Sequence, residues 1–328
     1  MSIMQPSDRP SMNRERIRLG ISACLLGERV RFDGGHKRDP FLVETLGHFV
    51  EWVPVCPEVE SGMAAPRESL RLVQVGKDLR LITNKTAQDQ TASMRGYARR
   101  RLEELADAEL CGFVLKKDSP TCGLERVKVY GTSGMPLKSG RGLFAEALVS
   151  RFPRLPVEEE GRLNDPRLRE NFIERVFAYR RLVTLFSTRW SMGDVVKFHT
   201  IHKLTLMAHR PESYQRLGRL VASGKSIDRH EFQDRYSSEF MAALSAIATP
   251  RRQANVLQHM LGYFKDTLDP DDRRELLTLI ESHAAGQVPL VVPLTLFAHH
   301  IRRCGVPYLA DQTYLQPHPV ELMLRNHV

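Results

Sequence analysis

The 328-residue chain changes its pattern of apolar residues near residue 160. Before that point, short β-like runs alternate with helical stretches, which predicts a parallel or mixed sheet covered by helices. After Asp165 and Pro166, a favourable helix start, apolar residues recur at three- and four-residue spacing. The sequence therefore predicts an α/β domain over residues 17–160 and an all-α domain over residues 161–328. We expect residues 1–16 to be a flexible tail.

The α/β domain contains six candidate strands and three candidate helices. The strands are predicted at 18–23, 52–55, 70–75, 79–83, 110–116 and 126–130. The helices are predicted at 40–50, 86–106 and 142–152. Gly76-Lys77-Asp78, between two short strand candidates, indicates a hairpin turn.

The composition is ordinary for a soluble globular protein, with 42% hydrophobic and 27% charged residues. No apolar stretch approaches the roughly 20 residues of a membrane helix, and residues 1–18 lack the apolar centre of a secretory signal. Five cysteines without a C-x-x-C pair argue against a disulfide scaffold. We therefore expect a cytoplasmic protein that does not bind a membrane.

Positive charge is concentrated in the second half of the chain. The net charge is +9, and residues 161–328 carry 23 Lys/Arg against 17 Asp/Glu, compared with 25 against 22 in residues 1–160. A basic domain is typical of a protein that binds a polyanion. A soluble protein that is merely basic is the alternative.

Three of the five cysteines lie in turns that follow apolar runs: Cys24, Cys56 and Cys122. The carboxyl ends of parallel strands meet at the sheet edge where open α/β folds bind ligands. Three thiols at that edge would suit a metal centre with one open coordination position. From the residues alone, zinc, an iron–sulfur cluster and plain buried thiols are comparable possibilities. Cys111, at the start of an apolar run, and Cys304, in the helical domain, are interpreted as structural thiols.

Two polar residues accompany the three thiols. Glu58 lies two residues after Cys56, and Ser119 lies three residues before Cys122. A carboxylate in a dry pocket can transfer protons, and a hydroxyl can bind a substrate atom or relay a proton. A surface carboxylate and a hydroxyl that caps a turn are the structural alternatives.

Four ordered blocks in the first domain resemble the signatures of the thiouracil desulfidases (TudS-like). They are SACLLG at 22–27, RFDG at 31–34, CPE at 56–58 and SPTCG at 119–123. Phe32 departs from the pattern, because many relatives have tyrosine there. Residues 190–320 resemble the YbgA-like domain that is often fused behind such a domain. The matching blocks are KFH at 197–199, LMAH at 206–209, NVLQH at 255–259, GYFK at 262–265 and VPLVVPL at 288–294.

The resemblance implies a 4Fe-4S cluster held through three of its irons by Cys24, Cys56 and Cys122. It also implies catalytic roles for Glu58 and Ser119. An iron without a protein ligand supplies a Lewis acid for soft sulfur, and water activated by the carboxylate would replace that sulfur without net redox change. The fused form is similar to desulfidases that remove sulfur from 4-thiouridine in transfer RNA.

The helical domain is then the predicted RNA-binding part, because contacts from Lys and Arg to phosphates dominate RNA affinity. The candidate residues are Lys197, His199, Lys203, Arg251, His259 and Lys265. An ordinary helix-surface role is the alternative for the histidines. In the first domain, Arg31 and Asp33 are weaker candidates for orienting the base. Arg95, Arg99, Arg100 and Arg101 form a further basic patch there.

The sequence therefore predicts an iron–sulfur desulfidase that acts on thiolated uracil, with 4-thiouridine in transfer RNA as the expected substrate. The alternative is a nucleic-acid-binding or regulatory protein whose metal site is purely structural. A closed four-thiolate site that includes Cys111 would favour that alternative.

Overall fold

Two four-stranded sheets form the first half of the computed structural model, which describes residues 17–131, 135–187 and 189–328. The strands are β1 (Ile17–Ser22), β2 (Val50–Val55), β3 (Leu70–Val75), β4 (Asp78–Thr83), β5 (Gly112–Leu115), β6 (Val127–Tyr130), β7 (Pro136–Gly140) and β8 (Val157–Glu159). The predicted parallel or mixed sheet with helices is confirmed, as two sheets. The predicted tail at residues 1–16 lies outside the described residues.

The first sheet has the order β2-β1-β5-β8 and is parallel throughout. Its central strands, β1 and β5, are nearly continuous apolar runs. Together they contain one exposed residue, as expected for strands covered on both faces. The register aligns Ser22 at the end of β1 with Val55 at the end of β2. The carboxyl ends of neighbouring strands therefore lie side by side.

The second sheet has the order β4-β3-β6-β7 and is mixed. The predicted hairpin is confirmed, because β3 and β4 pair antiparallel and Gly76 occupies the turn with φ of 60°. Two strands, β7 and β8, were not expected. The exposed segment PLKSG and the three-residue segment VEE lack an apolar alternation and become strands through their pairing partners.

Three helices lie in the first half: α1 (Pro57–Glu60), α2 (Thr91–Ala106) and α3 (Leu143–Arg151). The predicted helix at 40–50 is wrong, because residues 41–45 form a π turn and residues 46–48 a 3₁₀ turn. A Cβ at Gly47 would lie 3.3 Å from Trp52 Nε1, so the chain bends tightly there into β2.

The described residues from 166 onward contain helices and no strand, which confirms the all-α prediction. The helices are α4 (Pro166–Ser187), α5 (Met192–Ile201), α6 (Lys203–His209), α7 (Pro211–Ala222), α8 (Arg229–Leu244), α9 (Pro250–Leu261), α10 (Pro270–Ala284), α11 (Val291–Cys304) and α12 (Pro307–Ala310). The Asp165 side chain accepts the backbone N–H of Arg167 at 2.8 Å, as expected for a helix start. Within the described residues, no helix is long and apolar enough to cross a bilayer.

Helix α4 joins the two halves through packing. Phe172, Ile173 and Val176 belong to the apolar core that contains β1, whereas Ala178 and Leu182 belong to a core of the helical half. The change in apolar pattern near residue 160 therefore separates the sheets from the helices. The two halves nevertheless share α4, whose buried residues belong to a core in each half.

Candidate active site and metal centre

A cleft of about 430 Å³ opens at the carboxyl ends of β1, β2 and β5. Cys24 lies two residues after β1, Cys56 directly follows β2, and Cys122 lies in the loop after β5. The three thiols line this cleft together with Glu58 and Ser119. The structure thus brings these five residues, from three distant segments, to one edge of the first sheet.

Two of the thiols are held by turns at the strand ends. Cys24 lies in a 3₁₀ turn that ends at Gly27, whose φ of 101° favours glycine. Cys56 precedes the first turn of α1, and its backbone N–H donates to Glu60 Oε1 at 2.7 Å. The Cys56 thiol lies 3.8 Å from the carbonyl oxygen of Val30, which belongs to the loop after β1.

The third thiol lies in a loop that the start of α3 holds. The backbone N–H groups of Phe144 and Ala145 donate to the carbonyl oxygen of Thr121 at 3.0 and 3.1 Å. Gly142 permits this close approach, because a Cβ there would lie 2.4 Å from the Thr121 carbonyl. The first N–H groups of a helix need such partners, so α3 and the loop carrying Cys122 stabilise each other.

Burial raises the pKa of all three thiols. The pKa of Cys24 rises to about 11, first because of burial and next because of its neighbour Cys56. The pKa values of Cys56 and Cys122 are also raised, mainly by burial, and the Glu58 carboxylate raises both further. Thiolates in this cleft therefore need a cationic group to offset their charge. An iron–sulfur cluster, which binds thiolates, fits this donor set.

No three His, Cys, Asp or Glu side chains within the described ranges are placed to hold a single metal ion. A cluster distributes its thiolate ligands over several irons, so it does not need them around one ion. Cys111 precedes β5, roughly 13 Å along the strand from the cleft end, and is buried in the core that contains β1. Cys304 lies at the end of α11. Neither thiol lines the cleft, so the closed four-thiolate site considered above does not form here.

Glu58 is fixed from two sides. Arg67 forms an ion pair with Oε2, and its Nε donates at 2.9 Å. The Thr121 hydroxyl donates to Oε1 at 2.8 Å. Thr121 is fully buried and lies 2.9 Å from the Ser119 hydroxyl. Glu58, Thr121 and Ser119 therefore form one hydrogen-bonded series along the wall of the cleft.

The Ser119 hydroxyl also shapes its own loop. It accepts the backbone N–H groups of Thr121 at 3.2 Å and Cys122 at 3.1 Å. The turn-capping role considered from the sequence is therefore present. The same oxygen still lines the cleft and contacts Thr121, so capping does not remove it from the site.

Two residues of the site were not found in the sequence: Arg67 and Thr121. Thr121 lies inside the block SPTCG, in which only the serine and the cysteine were predicted to belong to the site. Arg67 lies in a loop nine residues after Glu58 and belongs to no motif. Nothing local in the sequence distinguishes it from other surface arginines.

Basic side chains also line the cleft. Arg31, Lys37, Lys116 and Lys117 line it, and Lys116 pairs with Glu160 at 2.5 Å. Phe32 lines the cleft as well, with the Arg31 guanidinium 5.3 Å from its ring centroid. Asp33 pairs with Arg31 at 3.4 Å, is half exposed, and does not line the cleft. An exposed basic rim attracts an anionic substrate.

The predicted RNA-binding residues differ in exposure. Lys197, Arg251 and Lys265 are exposed, whereas Lys203 and His259 are half-buried. His199 is buried and stacks on Tyr214 at 5.2 Å, and burial lowers its pKa to about 4. His199 cannot reach a phosphate from this position, so we remove it from the proposed RNA surface. In the first domain, Arg95, Arg99 and Arg100 are exposed on α2, whereas Arg101 pairs with Glu60 and Glu104.

Two family models match the chain. Residues 19–160 match the family described as 2-thiouracil desulfurase, and residues 203–319 match a family described as protein of unknown function, DUF1722. The uncharacterized protein YbgA of Escherichia coli K12 is 31% identical over 170 residues, which are 50% of this chain and 98% of YbgA. The chain belongs to the YbgA family. It combines a TudS-like 2-thiouracil desulfurase domain with a following DUF1722 domain, and the resemblance seen in the sequence is confirmed.

One solved structure is similar to part of the chain. It is TudS, a 4Fe-4S-dependent thiouracil desulfidase, with 28% identity and a TM-score of 0.38. The similarity covers 46% of this chain and 95% of TudS.

Proposed function

We propose that the protein is an iron–sulfur-dependent desulfidase that removes sulfur from thiolated uracil, with 4-thiouridine in transfer RNA as its substrate. One observation carries the proposal. The hydrogen-bonded series of Glu58, Thr121 and Ser119 lies in the same cleft as three thiols from separate segments. Membership of the first domain in the 2-thiouracil desulfurase family supports the class of substrate.

The proposed cofactor is a 4Fe-4S cluster bound by Cys24, Cys56 and Cys122. When bound through three thiolates, such a cluster supplies a Lewis acid with affinity for soft sulfur. The support for it is the donor set itself, together with the resemblance of the three cysteine blocks. Cys24 and Cys122 are buried, Cys56 is half-buried, and no fourth thiol lines the cleft. The alternative of a purely structural metal site has no observation in its favour.

Glu58 is the proposed general base. Arg67 and Thr121 hold its two oxygens, so the carboxylate is fixed while it takes a proton from the water that attacks the pyrimidine carbon. Ser119 is the proposed donor of a proton to the departing sulfur, and its hydrogen-bonded link to Glu58 through Thr121 supports this role. One water is consumed, the carbon–sulfur bond breaks as a carbon–oxygen bond forms, and sulfide leaves with no electron transferred.

The distribution of positive charge supports a nucleic-acid substrate. The cleft rim carries Lys37 and Lys117, and the helical domain exposes Lys197, Arg251 and Lys265. Phosphate contacts of this kind dominate the affinity for RNA. Five free cysteines are typical of a reducing compartment, which agrees with a protein of the cytoplasm.

A carboxylate substitution tests the proposal. Under anaerobic conditions, transfer RNA containing 4-thiouridine is incubated with protein, and thiocarbonyl absorbance and released sulfide are measured. We expect Glu58→Gln to slow the reaction by about 10²–10⁴-fold with unchanged cluster absorbance. Glu28→Gln, which removes an exposed carboxylate of the loop after β1, should keep the wild-type rate. Wild-type turnover in Glu58→Gln would contradict the assignment.

A further inference from the structure

An aromatic and basic surface forms where three segments of the helical domain meet. Tyr263 and Tyr308 stack with ring centroids 5.0 Å apart and planes 16° apart. Lys203 Nζ lies 5.9 Å from the Tyr308 centroid, and His259 packs edge-on against Tyr263 at 5.6 Å. We call these four residues the tyrosine platform.

The platform is accessible to a ligand. Tyr263 is 37% exposed, and Tyr308, Lys203 and His259 are half-buried. The core below is filled by other residues, since Leu261 and Phe264 on either side of Tyr263 are buried. Tyr263 therefore lies at the surface, outside the buried core of the domain.

The stretch of sequence that supplies three of the four platform residues is basic. Residues 197–265 carry eleven Lys/Arg against five Asp/Glu. Arg251, in the same helix as His259, and Lys265, two residues after Tyr263, are exposed. Basic side chains around an aromatic surface are the combination that binds single-stranded nucleic acid, because the cations contact phosphates while rings stack on unpaired bases.

We propose that the tyrosine platform stacks an unpaired nucleobase of single-stranded or looped RNA on the exposed ring of Tyr263. Lys203 belongs to the platform, and Lys265 lies two residues after Tyr263. Both lysines would then contact the phosphates next to the stacked base. The proposal rests on the proposed RNA substrate and adds the mode of its binding. Part of the affinity then comes from stacking, which is independent of salt, rather than from charge alone.

The chemistry of the tyrosine pair agrees with a stacking role. Burial, followed by the hydrogen bond with the Tyr263 hydroxyl, raises the pKa of Tyr308. Tyr308 therefore remains neutral at physiological pH and places no negative charge beneath the approaching RNA.

The test uses the full-length protein and a short single-stranded RNA that carries 2-aminopurine, whose fluorescence is quenched when it stacks. We expect Tyr263→Leu to weaken binding about 5- to 150-fold and to abolish the quenching, because stacking on one ring is removed. Tyr263→Phe, which keeps the ring, should bind within about threefold of wild type. Tyr130→Leu, at a half-buried tyrosine at the end of β6, is the matched control and should have no effect.

Two further arms separate stacking from charge. Lys265→Ala should flatten the dependence of affinity on salt by a slope of about 1 and leave the quenching intact. An RNA duplex of the same length, whose bases are paired, should bind wild type and Tyr263→Leu equally.

The proposal is overturned if Tyr263→Leu binds the single strand as wild type does, or if the variant loses duplex and single strand equally. Those outcomes leave the proposed desulfidase function intact, because turnover of free 4-thiouracil does not use the platform. Wild-type protein that fails to bind any RNA at low salt overturns the platform and the RNA substrate together. Unchanged turnover of 4-thiouracil by Tyr263→Leu is the check that the variant is folded.

Discussion

At the residue scale, Glu58 has both carboxylate oxygens engaged by neighbours. Arg67 binds one oxygen and also donates to the carbonyl oxygen of Val30 at 2.9 Å, so it ties α1 to the loop after β1. Thr121 binds the other. Because both oxygens are held, the proposed base has a fixed orientation toward the water from which it takes a proton. A misplacement of such a group by about 1 Å can cost about 100-fold in rate.

Thr121 is the residue whose substitution isolates this positioning. Thr121→Val keeps the side-chain shape but removes the hydroxyl between Glu58 and Ser119. We expect turnover of 4-thiouridine to fall by about 10- to 100-fold while iron content and cluster absorbance are unchanged. Thr121→Ser, which restores a hydroxyl, should recover most of the rate. Failure of Thr121→Ser to exceed Thr121→Val would show that the hydrogen bond is not what matters.

The thiol assignments give a second prediction at this scale. Cys24→Ala, Cys56→Ala and Cys122→Ala should each lose most of the bound iron after anaerobic reconstitution, because each removes one of three ligands. Cys111→Ala and Cys304→Ala should retain it, since neither thiol lines the cleft. Iron and sulfide analysis checks all five variants. Iron loss in Cys111→Ala alone would point to a different ligand set.

The site residues that lie in short motifs could be predicted from the sequence. The three cysteines follow parallel strands of one sheet, so their convergence could be expected from parallel strand geometry. Arg67 could not be found, because its role depends on a loop that folds back onto α1. The burial of His199 was missed for a similar reason. Its place on a helix was visible, but the ring of Tyr214 from α7 that covers it was not.

At the scale of elements, the start of α3 and the loop after β5 depend on one another. Four N–H groups at the start of α3 donate to carbonyls of residues 120–123, at distances from 2.7 to 3.2 Å. The same loop carries Ser119 and Cys122. Backbone contacts with α3, together with the Ser119 hydroxyl, therefore set the positions of one proposed catalytic residue and one proposed ligand.

Gly142 provides the test of this dependence. A Cβ there would lie 2.4 Å from the Thr121 carbonyl and 2.8 Å from the Cys122 nitrogen, both backbone atoms. We expect Gly142→Ala to lower the free energy of unfolding by about 1–3 kcal/mol and to reduce bound iron. Gly96→Ala, inside α2 with only ordinary contacts at its Cβ, should instead stabilise by about 0.5–1 kcal/mol. Denaturant unfolding with iron analysis distinguishes the two, and similar behaviour of both variants would refute the argument.

Elements with strong apolar patterning were predictable, and elements formed by pairing were not. Strand β3 and its hairpin partner were located from apolar residues around Gly76. Strand β7 has only exposed or half-buried residues, and it forms because β6 offers an edge. The segment at 40–50 looked helical by spacing, but its tight entry into β2 shortens it to two irregular turns.

At the scale of the whole molecule, α4 makes the two halves one packed unit. Phe172, Ile173 and Val176 share a core with Cys24, and Leu322 and Leu324 near the end of the chain complete it. A chain cut at residue 160 would expose this apolar surface beside the cleft. The proposed roles of the two halves, desulfuration and RNA binding, are therefore better tested by substitutions in the full chain.

Binding of transfer RNA should depend strongly on salt, because phosphate contacts release counterions. We expect Arg251→Ala and Lys197→Ala each to flatten the slope of log affinity against log salt by about 1. Lys77→Ala, at the exposed turn between β3 and β4, is the matched control and should leave the slope unchanged. Fluorescence anisotropy across a salt series measures this. Equal slopes for all three variants and wild type would place the RNA surface elsewhere.

If the protein is an iron–sulfur desulfidase, its turnover must depend on the cluster. Wild-type protein is reconstituted anaerobically to graded iron contents, and the rate of 4-thiouridine loss and sulfide release is measured at each. We expect about four iron and four sulfide per chain at saturation, a rate proportional to cluster content, and no turnover by iron-free protein. Full turnover by iron-free protein, or a fully loaded protein that leaves 4-thiouridine and 4-thiouracil both intact, would contradict the proposed function.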